Sequence, residues 1–414
     1  MKAEIITIGD ELLIGQVIDT NSAWIATEFN SIGIKISQIT SIGDDHDQII
    51  STLKDATNRA DVIITTGGLG PTKDDITKLA LCDFFKTHLI FDEQSYSNIE
   101  RIFNLRGYRM TPSNRKQAEV PASCDTLLNE NGTAPGMLFR QNGKIYISLP
   151  GVPFEMKALV SNHVIPMLKP LSHKAILHKT VLTQGVGESF LADKIMDWES
   201  ALPSNFKLAY LPQPGMVRLR LTAIGTSRDE LKAQLAEQLS LLYSLIPEYI
   251  FGEDDESLES IVGNLLKERN LTLSTAESCT GGNIAQMITS IPGSSDYFKG
   301  SIVSYSNEVK INSLNVSPST IEQHGAVSRE TVIQMAEGIK RAMNTDCSIA
   351  VSGIAGPGGG SEEKPIGTVW IAVVSPFSGT VTKKFHFGEN RERNIRRSSL
   401  AALDMLRRIL KEAK

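Results

Sequence analysis

The sequence predicts an α/β protein built in three parts, and three observations carry that prediction. Its 414 residues exceed what one ordinary core encloses, since domains run to roughly 150 residues. From the start, apolar strand-like runs alternate with helical periodicity, as "AEIITIG", "SAWIATEFNSIG", "IKISQITSIG", "QIISTLKDATNRA" and "DVIITTGG". That is the rhythm of a largely parallel sheet. The same rhythm returns near the C-terminus in "LTLSTA", "GNIAQMITSI", "GSIVSYS" and the pair "DCSIAVSG" and "GTVWIAVV".

The first α/β domain is placed at residues 1–165, closing near "KIYISLPGVPFEMKALV". The pattern then changes to a strand, "KTVLTQGV", a helix, "ESFLADKIMDWES", two alternating runs joined by the turn signal "PQPG", and a helix, "SRDELKAQLAEQLSLLYSLI". Strand, helix, hairpin and helix make a small α+β, KH-like module at residues 170–252. Its glycines read "GVGE" rather than the G-x-x-G backbone clamp of RNA-binding KH modules, which favours a spacer or dimerisation role. "FGEDDES" is an acidic turn that marks the second boundary. The helix "LESIVGNLLKERN" follows, with acids first and Lys267 and Arg269 last, as its dipole favours. The third domain occupies residues 254–414.

Apolar residues at 41% and charged residues at 21% match ordinary globular proteins and exclude widespread disorder. A net charge of -5 argues against a general nucleic-acid or anionic-membrane binder. Asp10 and Glu11 interrupt the first apolar run, and no stretch is apolar for the ~18 residues a membrane span needs. A cytoplasmic protein without membrane association is expected. Cys82, Cys124, Cys279 and Cys347 are scattered and form no C-x-x-C pair, so they read as reduced thiols.

Chemistry concentrates in "TAESCTGGNIAQ", where Ser278 stands between a strand and a helix. A helix N-terminus stabilises negative charge, so the position suits a nucleophile, although from this stretch alone a helix cap is the commoner role. Thr280, Gly281 and Gly282 follow, and glycines there would let backbone N–H groups approach an oxyanion or phosphate. His324 and His386 sit in no triad pattern, leaving Lys310 of "SIVSYSNEVKINSL" as the candidate base. With Ser306 or Asn307 as cap, Lys310 falls in a first helical turn, where the dipole disfavours a cation and lowers its pKa. The alternative is a solvated lysine balanced by Glu308. Cys279 is the rival nucleophile, more readily a buried thiol. "VSGIAGPGGGSEEKPIGTVW" supplies Ser352 at a strand end and Gly353 and Gly356 in a loop suited to an anion, without being a Walker A or dinucleotide fingerprint. Arg391 or Arg396 of "GENRERNIRR" could reach a phosphate, or lie solvated on a terminal helix.

In the first domain, "TIGDELLIGQ" puts Asp10 and Glu11 past one strand and "TTGGLGPTKDDITK" puts Gly67, Gly68, Gly70, Asp74 and Asp75 past another. Open α/β sheets bind ligands at such strand ends. Acids from both loops could share a Mg²⁺-class ion beside a phosphorylated ligand, or Asp10 and Asp75 could cap the helices that follow.

"AESCTGG", "VSYSNEVK", "AVSRE" and "VSGIAGPGGG" with "KPIGTVW" resemble the C-terminal domain of the CinA family, the PncC-like nicotinamide mononucleotide deamidase domain. "GGLGPTKDD", "NRKQAEVP", "NENGTAPGM" and "LPGVPFEM" resemble the family's N-terminal domain, which has a three-layer molybdopterin-binding-like fold. The resemblance implies Ser278 as nucleophile, Tyr305 and Lys310 as its helpers and Arg391 as a phosphate ligand, with no cofactor for the deamidase. For the first domain it implies metal-dependent hydrolysis of ADP-ribose, with a divalent ion at Asp10 and Asp75. A homodimer is also implied. The rival class is a non-catalytic nucleotide-, pterin- or DNA-associated competence protein, for which net acidity and the missing G-x-x-G clamp give little support.

Overall fold

The computed structural model describes residues 1–72, 75–105 and 107–412. The chain forms two compact units, Met1–Leu177 with Ala223–Gln234, and His178–Thr222 with Leu235–Lys414. Strands are numbered in chain order: β1 Lys2–Ile8, β2 Lys35–Ile42, β3 Val62–Thr66, β4 Leu89–Phe91, β5 Glu119–Pro121, β6 Asp125–Leu127, β7 Gly136–Gln141 and β8 Lys144–Leu149. They continue as β9 Ala175–Gln184, β10 Phe206–Gln213, β11 Met216–Gly225, β12 Ile250–Glu253, β13 Leu273–Glu277, β14 Phe298–Val303, β15 Cys347–Gly353, β16 Thr368–Ser375 and β17 Gly379–His386.

The first unit carries a six-stranded sheet in the order β2-β1-β3-β8-β7-β6. Strands β2, β1, β3 and β8 run parallel, while β7 and β6 form an antiparallel edge. Side chains alternate between two cores, as the period of a strand requires. Ala3, Ile5, Val62 and Ile64 pack with Ile25 and Phe29 of the helix Thr20–Ser31 and with Met156, Leu159 and Val160. Ile6, Ile8 and Ile63 pack with Ile49, Leu53 and Leu81 of helices on the other side. Three layers result, as the resemblance implied. Asp19 and Asp45 cap the helices Thr20–Ser31 and His46–Arg59 by accepting from Ser22 and Gln48 N–H.

The KH-like sheet is ordered β10-β11-β9-β12, with the "PQPG" turn joining β10 to β11. Part of the stretch read as an acidic turn is strand β12, antiparallel to β9, and the turn proper begins at Asp254 with φ 51°. The C-terminal sheet is ordered β14-β13-β15-β16-β17. Strand β13 is parallel to both β14 and β15, whereas β16 and β17 return antiparallel. One face packs on the helices Leu258–Glu268, Asn283–Thr289 and Arg391–Glu412; the other on Asn307–Leu314 and Arg329–Met343. Among the described residues no helix is long and apolar enough to cross a membrane.

Candidate functional site

The carboxyl ends of β13 and β15 open into a cavity of about 290 Å³ lined by Ser278, Lys310, Tyr305, Ser352, Gly356 and Arg391, among others. Lys310 is its most unusual wall. The side chain is 1% exposed, donates from Nζ to Ser278 Oγ at 3.1 Å and to Ser304 O at 2.7 Å. Burial lowers its pKa below the ordinary lysine range, and no carboxylate partner offsets that penalty among the described residues. Ser306 caps the helix Asn307–Leu314 by accepting from Val309 N–H, so Lys310 does occupy the first turn. Desolvation, rather than the dipole invoked from sequence, is the leading cause of its lowered pKa.

Ser278 is not the helix cap. Glu277, fully buried at the end of β13, takes that role: its carboxylate accepts from Gly282 N–H at 3.1 Å, Ile284 N–H at 3.0 Å and Ala285 N–H at 2.8 Å. Satisfying those orphan donors leaves the neighbouring hydroxyl to Lys310. The sequence carries a signal for this, a lone acid at the end of an apolar strand just before a glycine-led helix, which residue-type and motif reading does not pick out.

The glycine turn also differs from expectation. Gly281 and Gly282 have φ of 62° and 97°, which only glycine adopts readily. Yet Gly281 N–H donates to Ser278 O, and Gly282 N–H to Glu277, so neither amide is free for an oxyanion. Neither glycine, nor Thr280, lines the cavity; Thr280 Oγ1 is buried without a partner among the described residues. No other described residue accepts from the amides of Cys279 and Thr280, which are the least committed donors of this turn.

Cys279 is buried, and desolvation pushes its thiol up to about 12, which removes it as a rival nucleophile. A Cβ added at Gly353 would lie 3.0 Å from Cys279 Sγ and 2.6 Å from Val369 Cγ2, so only glycine fits there. Ser352 Oγ donates to Ala326 O at 2.7 Å and thereby fixes the cavity wall. Tyr305 is exposed, and its hydroxyl accepts from Arg391 Nη2 at 2.9 Å. Arg391 Nη1 donates to Gly356 O at 2.7 Å, placing the guanidinium at the mouth beside the glycine loop. Asn394, one helical turn on, donates to Ala355 O and Gly388 O and pins that loop; sequence reading overlooked it. Arg396 lines a different cavity.

The first unit holds a cavity of about 400 Å³ at its strand ends, lined by Gly67, Gly68, Gly70, Glu11, Asp75 and Glu155, among others. Of its carboxylates, Asp75 and Asp44 accept from backbone N–H groups, and Glu155 accepts from Asn129 Nδ2. Asp75 accepts from Gly70 N–H at 2.7 Å, from Thr72 N–H at 2.8 Å and from Thr72 Oγ1. Asp10 lies outside the cavity lining, exchanging bonds with Asp44: Asp44 N–H donates to Asp10 Oδ1, and Asp10 N–H to Asp44 Oδ2. Neither caps its following helix, as had been the alternative. Gly67 N–H donates to Leu149 O, leaving Gly68 as the glycine whose amide has no partner among the described residues. Asp74 falls outside the described residues. Among those described, no group of three or more His, Cys, Asp or Glu is placed to hold a metal ion. Among the described residues, Asp75 lines this cavity and Asp10 does not.

Residues 4–170 match the family described as "Probable molybdopterin binding domain", residues 178–252 the "Damage-inducible protein CinA KH domain" and residues 255–410 the "CinA C-terminal domain". The chain is 47% identical to a CinA-like protein of Cytophaga hutchinsonii, over 100% of this chain and 99% of that one. It is 48% identical to a CinA-like protein of Flavobacterium psychrophilum, over 98% of each. A solved competence damage-inducible protein A from Klebsiella pneumoniae is 36% identical, covering 38% of this chain and 97% of its own, with a TM-score of 0.37. With relatives matched end to end and all three domain families in order, the chain belongs to the CinA family.

Proposed function

We propose that the C-terminal domain hydrolyses the carboxamide of nicotinamide mononucleotide to nicotinate mononucleotide and ammonia. The observation that carries this reading is the buried Lys310 Nζ 3.1 Å from Ser278 Oγ. In its neutral form Lys310 accepts the Ser278 proton as Oγ attacks the carboxamide carbon. The tetrahedral oxyanion is received by the amide of Cys279, which lines the cavity, rather than by the glycine pair. Lys310 returns the proton to the departing nitrogen, the C–N bond breaks and ammonia leaves an acyl-Ser278 ester. Water, deprotonated by the same lysine, cleaves that ester and restores the hydroxyl. Arg391 and the Gly356 loop hold the phosphate at the mouth, with Tyr305 bridging to the guanidinium.

For the first unit the proposal is binding of ADP-ribose in the strand-end cavity, with hydrolysis to AMP and ribose 5-phosphate carried by the family resemblance. No step is drawn through a metal ion, because Asp10 and Asp75 are engaged with backbone N–H groups. The test is to incubate the protein with each substrate, with and without chelator. Ammonia release from nicotinamide mononucleotide should survive chelation. No ammonia release under any condition would refute the deamidase reading; ADP-ribose cleavage that survives chelation would refute a metal-dependent pyrophosphatase.

A further inference from the structure

Within the second unit lies a cavity of about 400 Å³ that shares no lining residue with the Ser278 cavity. It is bounded by the "QGVGE" loop after β9, by the β10–β11 turn at Gly215 and by Phe385, Phe387 and Arg397. Four features there converge on a phosphorylated ligand.

The helix Glu188–Ser200 begins at this cavity with Gly187 as its N-cap and no side chain closing its first turn. Gly187 is not required by the backbone: its φ of -80° suits any residue, and an added Cβ would meet nothing closer than Phe190 Cδ2 at 3.8 Å. A Ser or Asp cap would ordinarily be favoured at such a position. The amides of Gly185, Val186, Gly187 and Glu188 have no partner among the described residues.

Gln184 is 6% exposed, lines the cavity, and its side-chain amide has no hydrogen-bond partner among the described residues. The Gln184 amide opens onto the cavity and offers a ligand there both donors and an acceptor. Arg397 lies over the Phe387 ring with Cζ 5.0 Å from the centroid, and Nη1 donates to Phe387 O at 2.8 Å. Phe387 in turn stacks on Phe385 at 5.2 Å. This fixes the guanidinium while leaving Nη2 and Nε to an anion. Glu188 supplies a carboxylate at the rim, the group that pairs with vicinal ribose hydroxyls.

We propose that this cavity is a second ligand site that takes a purine mononucleotide. The loop amides and Arg397 hold the phosphate monoester, Glu188 the ribose, and Gln184 the donor-acceptor edge of the base. A half-open cavity of about 400 Å³ bordered by an exposed carboxylate fits a single small anion better than a polyanion.

The probe is AMP, titrated against the full-length protein by calorimetry without divalent ions. Parent protein should show a binding component that Gly187→Asp removes, because the new carboxylate caps the helix and repels phosphate. Arg397→Gln should weaken the same component by about tenfold, the loss expected for a charge-assisted hydrogen bond. Gly187→Asp installs a favoured cap, so it should fold, with unchanged circular dichroism and deamidation rate. Absence of AMP binding, or isotherms identical in parent and Gly187→Asp, would overturn the proposal. So would a single-stranded oligonucleotide that displaces AMP, binds more tightly and weakens steeply with salt, since that would make this a nucleic-acid groove.

Discussion

The Ser278 cavity and the strand-end cavity of the first unit occupy equivalent places, at the carboxyl ends of parallel strands, yet they differ in what their polar groups are doing. At Ser278 the structural duties fall on Glu277, which takes three helix amides, and on Ser352 and Asn394, which hold the walls. The hydroxyl is thereby left to Lys310, whose Nζ is held in place by a second bond to Ser304 O. In the first unit, Asp75 and Asp10 perform the structural duties themselves, closing the turn at Gly70 and tying the loop at Asp44. The contrast teaches that a motif residue becomes a reactive group only where a neighbour relieves it of holding the backbone.

The contrast breaks most sharply at Lys310. Lys310→Met should cut ammonia release by about 10²- to 10⁴-fold, the range for losing a general base, while leaving thermal stability unchanged or raised, because an uncompensated buried amine is replaced by an apolar side chain. A matching activity loss with a collapsed melting transition would instead make Lys310 structural. The same lowered pKa fixes two signs of pH dependence. Deamidation, which needs the neutral amine, should rise with pH through a midpoint below the usual lysine value. Because the unfolded chain binds the proton more tightly than the folded one, Lys310 costs stability when it must be charged. That cost should disappear as pH rises from the folded pKa toward the unfolded one, and the slope should vanish in Lys310→Met.

Glu277→Gln comes next. It keeps the shape but removes the charge that caps the helix, so unfolding free energy should fall by about 1–2 kcal/mol. Deamidation should lose kcat with little change in KM if Glu277 positions the Ser278 turn, and a pure stability loss with kcat intact would remove that role. In the first unit, Asp75→Asn should loosen the Gly70–Thr72 turn and weaken ADP-ribose binding by about tenfold, as for loss of hydrogen bonds to a charged acceptor; ammonia release should not move. Parent-like ADP-ribose titrations would free Asp75 from any part in that cavity. The smallest effect is expected from Cys279→Ala, since a thiol held near pKa 12 is not a thiolate at neutral pH. Activity lost on alkylation of the parent but not of this variant would reverse that conclusion.

Much of the architecture was legible because it follows hydrophobic period. The helix "ESFLADKIMDWES" spans Glu188–Ser200 as read, and the "PQPG" hairpin joins β10 to β11. Strand β17, mostly exposed, lacks an apolar face and escaped that criterion. At the site, Ser278 and Lys310 were legible from residue type and spacing, and the structure brings them together. What period and motif do not encode is the division of labour. Nothing local distinguishes Glu277 as the cap from Ser278, or shows that Gly281 and Gly282 spend their amides inside the chain; both depend on which atoms meet after folding.

The most direct measurement is the rate of ammonia release from nicotinamide mononucleotide by Ser278→Ala, with the fold checked by circular dichroism. Release reduced to background is the predicted result, since no other nucleophile in the cavity is activated. Release at the parent rate would contradict the account.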